Sequence, residues 1–242
     1  MLQPSQSSVR NHLLSALPAE VYDRLRPHLE AVTLAKGEVL IEAHRPITHV
    51  HFPDRGIGSM IVAPADSRRV ETGLFGRDGM SGIGAVLGAT QVAQTTLIQV
   101  PGDGYRLHVD VLREALASSA ALRDVLLRFV QVMITQASFT ALSNVSQSVE
   151  ERLARWLLMC HDRIDRSEGR DEVPLTHEFL SIMLAVQRPS VTTALHVLEG
   201  VACIGAKRGN ITILDREALI EFADGSYGAP EEEYRRLIGH FS

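Results

Sequence analysis

Cysteines and long hydrophobic runs are scarce in this chain. Only Cys160 and Cys203 occur in 242 residues, so the chain can build neither a disulfide framework nor a cysteine-cluster metal site from its own thiols. We expect no apolar run to span a membrane, and the N-terminus lacks the long apolar core of a secretory signal. Together these absences predict a cytoplasmic protein without a membrane partner.

Positive charge is also in short supply. The chain carries 24 lysines and arginines against 29 aspartates and glutamates, which gives a net charge of −5. Basic and acidic residues balance at 13 each over residues 1–148, whereas 11 basic residues face 16 acidic ones over 149–242. This distribution excludes a basic field over the whole C-terminal half, so a polyanion would have to be attracted by a few residues and by helix N-terminal amides.

Signatures of the common enzyme classes are missing as well. The sequence has no nucleophile elbow, and the glycines at 82–84 and 102–104 lie in a β context that does not resemble a dinucleotide-binding loop. We therefore predict a protein that is not an enzyme and holds no cofactor. The length and the 45% hydrophobic content leave room for two modest domains with real cores.

The most informative stretch runs from Leu175 to Leu214. Thr176 is suited to cap a first helix, the chain turns at 185–187, and Pro189 fits the first turn of a second helix, where a missing N–H costs nothing. Two short strands follow around a turn at 207–210. Helix, tight turn, helix and hairpin in this order predict a winged helix-turn-helix, which favours double-stranded DNA as the partner.

The second helix of this stretch has two unlike faces. Its apolar residues recur at three- and four-residue steps and form a stripe suited to burial. The opposite face carries small or hydrogen-bonding side chains, as a helix that enters a major groove requires, and the basic hairpin tip can meet phosphate. The predicted DNA-binding residues are Thr176, Gln187, Arg188, Pro189, Ser190, Thr192, Thr193, His196, Lys207 and Arg208.

The first 118 residues predict an antiparallel β-roll. Short extended runs follow one another, and Gly, Pro and Asp separate them, as at 53–56 and 101–104. Within the roll, His49 and His51 would share one strand face, so a jelly-roll metal-binding protein or metalloenzyme is an alternative to the simpler interpretation of histidines on an ordinary strand. The predicted runs are 39–41, 50–52, 60–62, 70–74, 97–100 and 105–107.

The next segment predicts one long helix. From Ser119 to Val145 there is neither glycine nor proline, and a repeat of alternating four- and three-residue steps has the pattern of a coiled-coil seam. Ser148 and Glu151 form a capping box that starts the following helix. We expect the long helix to join two copies of the chain through Leu122, Leu126, Phe129, Met133, Gln136 and Thr140.

The stretch from Leu175 to Gly205 resembles the DNA-binding domain of the Crp/Fnr superfamily of bacterial transcription regulators. The segments 36–38, 49–53 and 76–82 are similar to the β-roll of the same proteins. The resemblance implies an α+β fold with an N-terminal cyclic-nucleotide-binding-type roll or jelly roll (1–118), a long dimerisation helix (119–147), a C-terminal winged helix-turn-helix (148–222) and an acidic C-terminal tail (223–242) whose role the sequence does not indicate.

The resemblance also implies a function: a homodimer that regulates transcription at a two-fold symmetric operator, with RNA polymerase as a further partner. Arg188 falls where the family reads a guanine with an arginine. Pro189 and Thr193 replace a glutamate and an arginine that read bases in family members, so the operator sequence is expected to differ. Whether the protein activates or represses is left open by the sequence.

The roll departs from the family at the effector site. Nucleotide-binding members hold the ribose with a Gly-Glu pair and the cyclic phosphate with an Arg-Ser or Arg-Thr pair. In this chain Ile83 follows Gly82, and the later pair is Gln94-Thr95, which supplies neither the carboxylate nor the guanidinium. We expect Gly82, Ile83, Gln94 and Thr95 to line a pocket for an unknown small-molecule effector that is not a cyclic nucleotide. A regulator without any effector is the alternative.

Overall fold

A computed structural model describes residues 4–63, 69–164, 172–207 and 209–240. The helices of this part are α1 (His12–Ser15), α2 (Ala19–Leu25), α3 (Ile83–Val86), α4 (Val109–Ser118), α5 (Ala120–Ser146), α6 (Val149–His161), α7 (His177–Met183), α8 (Arg188–Gly200), α9 (Arg216–Phe222) and α10 (Ala229–Leu237). The strands are β1 (Glu30–Leu34), β2 (Val39–Ile41), β3 (His49–Val62), β4 (Val70–Phe75), β5 (Thr95–His108), β6 (Glu172–Val173), β7 (Ile204–Lys207) and β8 (Asn210–Ile213). A sheet-rich first half, a long helix and a winged second half confirm the α+β fold.

The roll is an antiparallel sheet in the order β1-β5-β3-β4, with β2 also paired to β5. The predicted runs 50–52 and 60–62 are parts of the single strand β3, and 97–100 and 105–107 are parts of β5. The predicted breaks at 53–56 and 101–104 are instead irregular pairings that face each other across these two strands. A Cβ atom at Gly102 would lie 2.1 Å from the carbonyl oxygen of Arg55, so only glycine permits this close approach.

The long helix α5 begins where the sequence predicts, with the Ser119 hydroxyl accepting a hydrogen bond from the Leu122 amide at 3.2 Å. Its buried face packs on the roll of the same chain. Gln136 accepts a hydrogen bond from the Leu74 amide at 2.7 Å and donates one to the Leu74 carbonyl at 3.2 Å. The helix and strand β4 are thereby joined at a single residue of the strand.

The predicted dimer seam lies on this intramolecular face, which corrects the sequence interpretation. Each of the six residues is at most 5% exposed within one chain, so none is free to meet a second copy. The spacing matches an apolar face, but the roll, α4 and α10 cover that face within one chain. The six residues are Leu122, Leu126, Phe129, Met133, Gln136 and Thr140.

The other side of α5 is exposed and apolar. Leu127, Ile134, Leu142 and Val145 are 40%, 55%, 56% and 90% exposed. By length and composition alone the helix is apolar enough to cross a membrane, with a mean hydropathy of 1.4 over its best window, which corrects the expectation that no run would reach that level. One such helix is weak evidence of a span, and 39% of the window is buried inside the protein.

Candidate DNA-binding surface and effector pocket

The helix-turn-helix forms as its local signals predict. The Thr176 hydroxyl accepts a hydrogen bond from the Phe179 amide at 3.3 Å and caps α7. Ala185 takes a left-handed conformation at φ 52° in the tight turn, and α8 then begins at Arg188, with Pro189 in its first turn. The stripe on α8 is buried in the core of this domain and consists of Val191, Ala194, Leu195 and Leu198.

The opposite face of α8 is open to solvent. Thr192 is half-buried, and its hydroxyl lies 3.3 Å from Nδ1 of His177 on α7. Side-chain hydroxyls on this face also bond to the helix's own carbonyls, as Thr193 does to Pro189 at 3.2 Å. The exposed members of the predicted set are Gln187, Arg188, Pro189, Ser190, Thr193 and His196. The structure therefore brings the predicted residues of α8 together on one accessible surface.

Arg188 has a partner that the sequence did not suggest. Its guanidinium lies 3.3 Å from the carboxylate of Glu178 on α7, and both side chains are largely exposed. The two residues are ten positions apart in sequence and meet because α7 and α8 cross. Spacing rules for pairs within a single helix do not predict such a contact. An exposed pair of this kind contributes little to stability, but it places a negative charge beside the candidate base-reading group.

The wing is a three-stranded sheet in the order β6-β8-β7. Lys207 pairs with Asn210 across the tip of the hairpin, and Gly209 provides the left-handed conformation there at φ 82°. Lys207 is exposed and stands on the same domain as the open face of α8. Arg208, the other predicted phosphate contact of the tip, lies outside the described residues.

A cavity of about 260 Å³ lies in the roll beside α3. Gly82, Ile83 and Gln94 line it as predicted, whereas Thr96 takes the place expected for Thr95, because successive side chains of a strand point to opposite faces. The lining within the described residues includes no charged side chain. A cyclic phosphate would therefore find no guanidinium to neutralise it.

The two histidines considered for a metal site have separate surroundings. His51 is buried, and its Nδ1 atom lies 3.1 Å from the Ser81 hydroxyl. His49 makes an edge-on ring contact with His108, with the ring centroids 5.1 Å apart. Burial, and then the nearby His49, lower the pKa of His51 to about 4. Among the described residues no group of three or more His, Cys, Asp or Glu could hold a metal ion, so the geometry does not favour the metalloenzyme alternative.

Comparison with known proteins agrees with this arrangement. Residues 151–222 match the Crp-like helix-turn-helix domain, and no curated protein matches the chain significantly. FixK2 from Bradyrhizobium japonicum has a similar fold, with a TM-score of 0.67 at 15% identity over 80% of this chain and 96% of that one. A CRP-family transcriptional regulator of Thermus thermophilus gives 0.66 at 18% identity over 82% and 99%.

The c-di-GMP responsive global regulator CLP of Xanthomonas campestris gives a TM-score of 0.63 at 13% identity, over 81% of this chain and 99% of that one. At these identities the solved structures establish a shared fold, and the helix-turn-helix match adds the kind of domain that carries the open face of α8. Residues 151–222 therefore form a Crp-like helix-turn-helix domain, and the chain as a whole shares the fold of solved Crp/Fnr-type proteins.

Proposed function

We propose that the protein is a homodimeric, sequence-specific regulator that binds a two-fold symmetric operator in double-stranded DNA. The observation that carries this proposal is the open, hydrogen-bonding face of α8 with Arg188 at its start, in the domain that matches the Crp-like helix-turn-helix. Arg188 reads a guanine, Thr193 and His196 contact a neighbouring base or phosphate, and Lys207 contacts phosphate.

The dimer forms through the exposed side of α5. Exposed residues recur there at alternating four- and three-residue steps, the repeat of a two-helix seam. No charged residue occurs between 129 and 149, which is unusual for a helix surface that faces water and favours burial against a second copy. The proposed seam residues are Leu127, Gln131, Ile134, Ser138, Ala141 and Val145.

Binding DNA as a dimer also suits the charge of the chain. The C-terminal half is acidic overall, so one domain has few cations to offer to phosphate. Two recognition helices held about 34 Å apart, one turn of the duplex, combine two weak contacts into one specific complex. Residence in the cytoplasm and contact with RNA polymerase follow from this role and are part of the proposal.

The effector is an uncharged small molecule that enters the cavity beside α3. Its lining lacks charge among the residues that the structure describes, which argues against a cyclic nucleotide. Met60 belongs to the lining, and its terminal methyl group lies near that of Met133 on the long helix, since a Cβ atom at Gly73 would be 3.1 Å from each. A ligand that displaces Met60 therefore acts directly on α5 and through it on the dimer.

Selection of bound sequences from a random DNA pool tests the central claim. An inverted repeat with half-sites about one helical turn apart is the expected product. Replacing Arg188 with Ala should then cost about 1–3 kcal/mol and relax the preference at one base pair, whereas replacing Lys207 with Ala should weaken binding to all sequences alike and reduce the salt dependence. Enrichment of no repeat by the purified protein, with or without cell extract, would remove the basis of the proposal.

A further inference from the structure

The acidic C-terminal segment is a packed part of the fold. Helix α10 lies along α5, and the Arg128 side chain donates a hydrogen bond to the carbonyl of Leu237 at 3.4 Å. Tyr234 is fully buried and Glu231 is only 1% exposed. A segment that buries a carboxylate has a structural partner for it, because an isolated buried charge is very costly.

One partner is reached through Arg163, which lies just beyond the end of α6 at His161. Its guanidinium forms an ion pair with Asp78 of the roll at 2.8 Å, and both side chains are at most 2% exposed. Asp78 is held in its turn by the Gly76 amide, which donates to its carboxylate at 2.7 Å. A Cβ atom at Gly76 would lie 3.0 Å from that of Arg163, so a larger residue at position 76 would crowd the side chain of this arginine.

A second buried arginine lies two turns earlier on α6. Arg155 donates to the Ser226 carbonyl at 3.1 Å and to the Thr140 hydroxyl at 3.1 Å. It therefore joins α5 to the segment that leads into α10, in a position that is 1% exposed.

Glu231 completes this group from the side of α10. Burial raises the pKa of its carboxyl, while Arg163 and then Arg155 act in the opposite direction. Its Oε2 atom accepts a hydrogen bond from the Gly228 amide at 3.0 Å, which fixes the side chain at the start of the helix. The Asp78–Arg163 ion pair, with Arg155 and Glu231 acting electrostatically on the same buried region, makes up an interdomain charge cluster contributed by the roll, α6 with the residues just after it, and α10. Removing one carboxylate weakens the balance of charge around the buried arginines.

The cluster holds the DNA-binding domain without covering its reading face, since Arg188 and Ser190 stay exposed. We propose that Asp78 and Glu231 are positioning residues for DNA binding: through Arg155 on α6 and Arg163 just after it, they fix the orientation of the winged domain against α5. This inference rests on the proposed function, because the orientation matters only where two domains must reach two half-sites together.

The expected consequence differs between a whole operator and half of one. A single domain can meet a single half-site from any orientation relative to α5. A dimer on two half-sites must hold both domains in register, and a domain that is already fixed loses less freedom on binding. Loosening the cluster should therefore weaken binding to the inverted repeat and spare the half-site.

The test compares Glu231→Gln with Glu232→Gln, which makes the same charge change on a more accessible neighbour of the same helix. Affinities are measured for the selected inverted repeat and for one half-site, and amide hydrogen exchange is measured in α6 and in residues 76–79. For Glu231→Gln we expect faster exchange in both segments, a loss of about fivefold or more on the inverted repeat and no change on the half-site. Glu232→Gln should match the wild type in every measurement.

Asp78→Asn should reproduce the effect of Glu231→Gln, and the double variant should lose less than the sum, because the two carboxylates share Arg163. Three results would overturn the inference. An equal loss of affinity on whole and half operators, or unfolding of both single variants, would show that the residues stabilise the fold in general. Unchanged hydrogen exchange would show that they do not hold the winged domain. If the wild type binds no inverted repeat, the proposed function fails instead, and the exchange data still report whether the cluster holds the domain.

Discussion

Truncating Ile134 to Ala should weaken the dimer without unfolding the chain. Complete burial of an isoleucine side chain is worth about 1.5–3 kcal/mol, and 55% of Ile134 is left to be covered by a second copy. Since the change occurs in both subunits and alanine keeps the β-carbon, the dimer should lose about 1–2.5 kcal/mol. This is roughly a 5- to 60-fold rise in the dimer Kd, which sedimentation velocity over a concentration series measures directly.

Met133 is the matched control, because it is the preceding residue on the same helix but is buried within its own chain. Met133→Ala should lower the free energy of unfolding by about 2–5 kcal/mol through the cavity it leaves, with a dimer Kd close to that of the wild type. Should Met133→Ala dissociate the dimer and Ile134→Ala leave it intact, our assignment of the two faces of α5 would be reversed. A chain that stays monomeric at all concentrations would refute the dimer itself.

Three further measurements address single side chains. Gln136→Leu should lower the free energy of unfolding by about 1–3 kcal/mol, because the buried amide and carbonyl of Leu74 lose their partner. Denaturant unfolding measures this free energy, and a decrease of less than about 0.5 kcal/mol would contradict the prediction. Burial lowers the pKa of His51 in the folded chain to about 4, so between about pH 6.5 and pH 4 the unfolded chain binds a proton at this residue that the folded chain does not. The free energy of unfolding should therefore fall by up to about 3 kcal/mol as the pH is lowered through that window. His51→Asn should flatten the pH profile of unfolding. Glu178→Gln should raise DNA affinity, because it removes a negative charge beside Arg188 and the phosphates; a fall in affinity at both low and high salt would show instead that Glu178 aims the arginine.

The DNA-binding half could be predicted because its signals are local. A capping threonine at 176, a proline at 189 and a glycine at 209 each act within one turn of the backbone, so their spacing carries over directly into structure. The acidic tail at 223–242 could be predicted from the sequence as a segment. The burial of α10 within it could not, because it depends on packing against α5, a helix far away in the chain, as in the hydrogen bond from Arg128 to the carbonyl of Leu237.

The long helix shows the other limit of sequence reasoning. Its apolar residues fall on two faces, and a repeat of three- and four-residue steps fits both of them. Nothing in the spacing distinguishes Leu126, which the roll covers, from Leu127, which remains exposed. Only the placement of the roll, α4 and α10 decides which face of α5 stays exposed, and the residues that the spacing predicted for a dimer seam lie on the face that these elements bury.

The paired hydrogen bonds between Gln136 and Leu74 restrict how α5 can move against the roll. One side-chain amide holds one strand residue by both its donor and its acceptor. Sliding the helix along its own axis would break both bonds at once, whereas swinging its ends would keep them. If a bound molecule displaced Met60, these bonds would favour a tilt of α5 about Gln136, and the end of α5 that leads into the winged domain would move furthest.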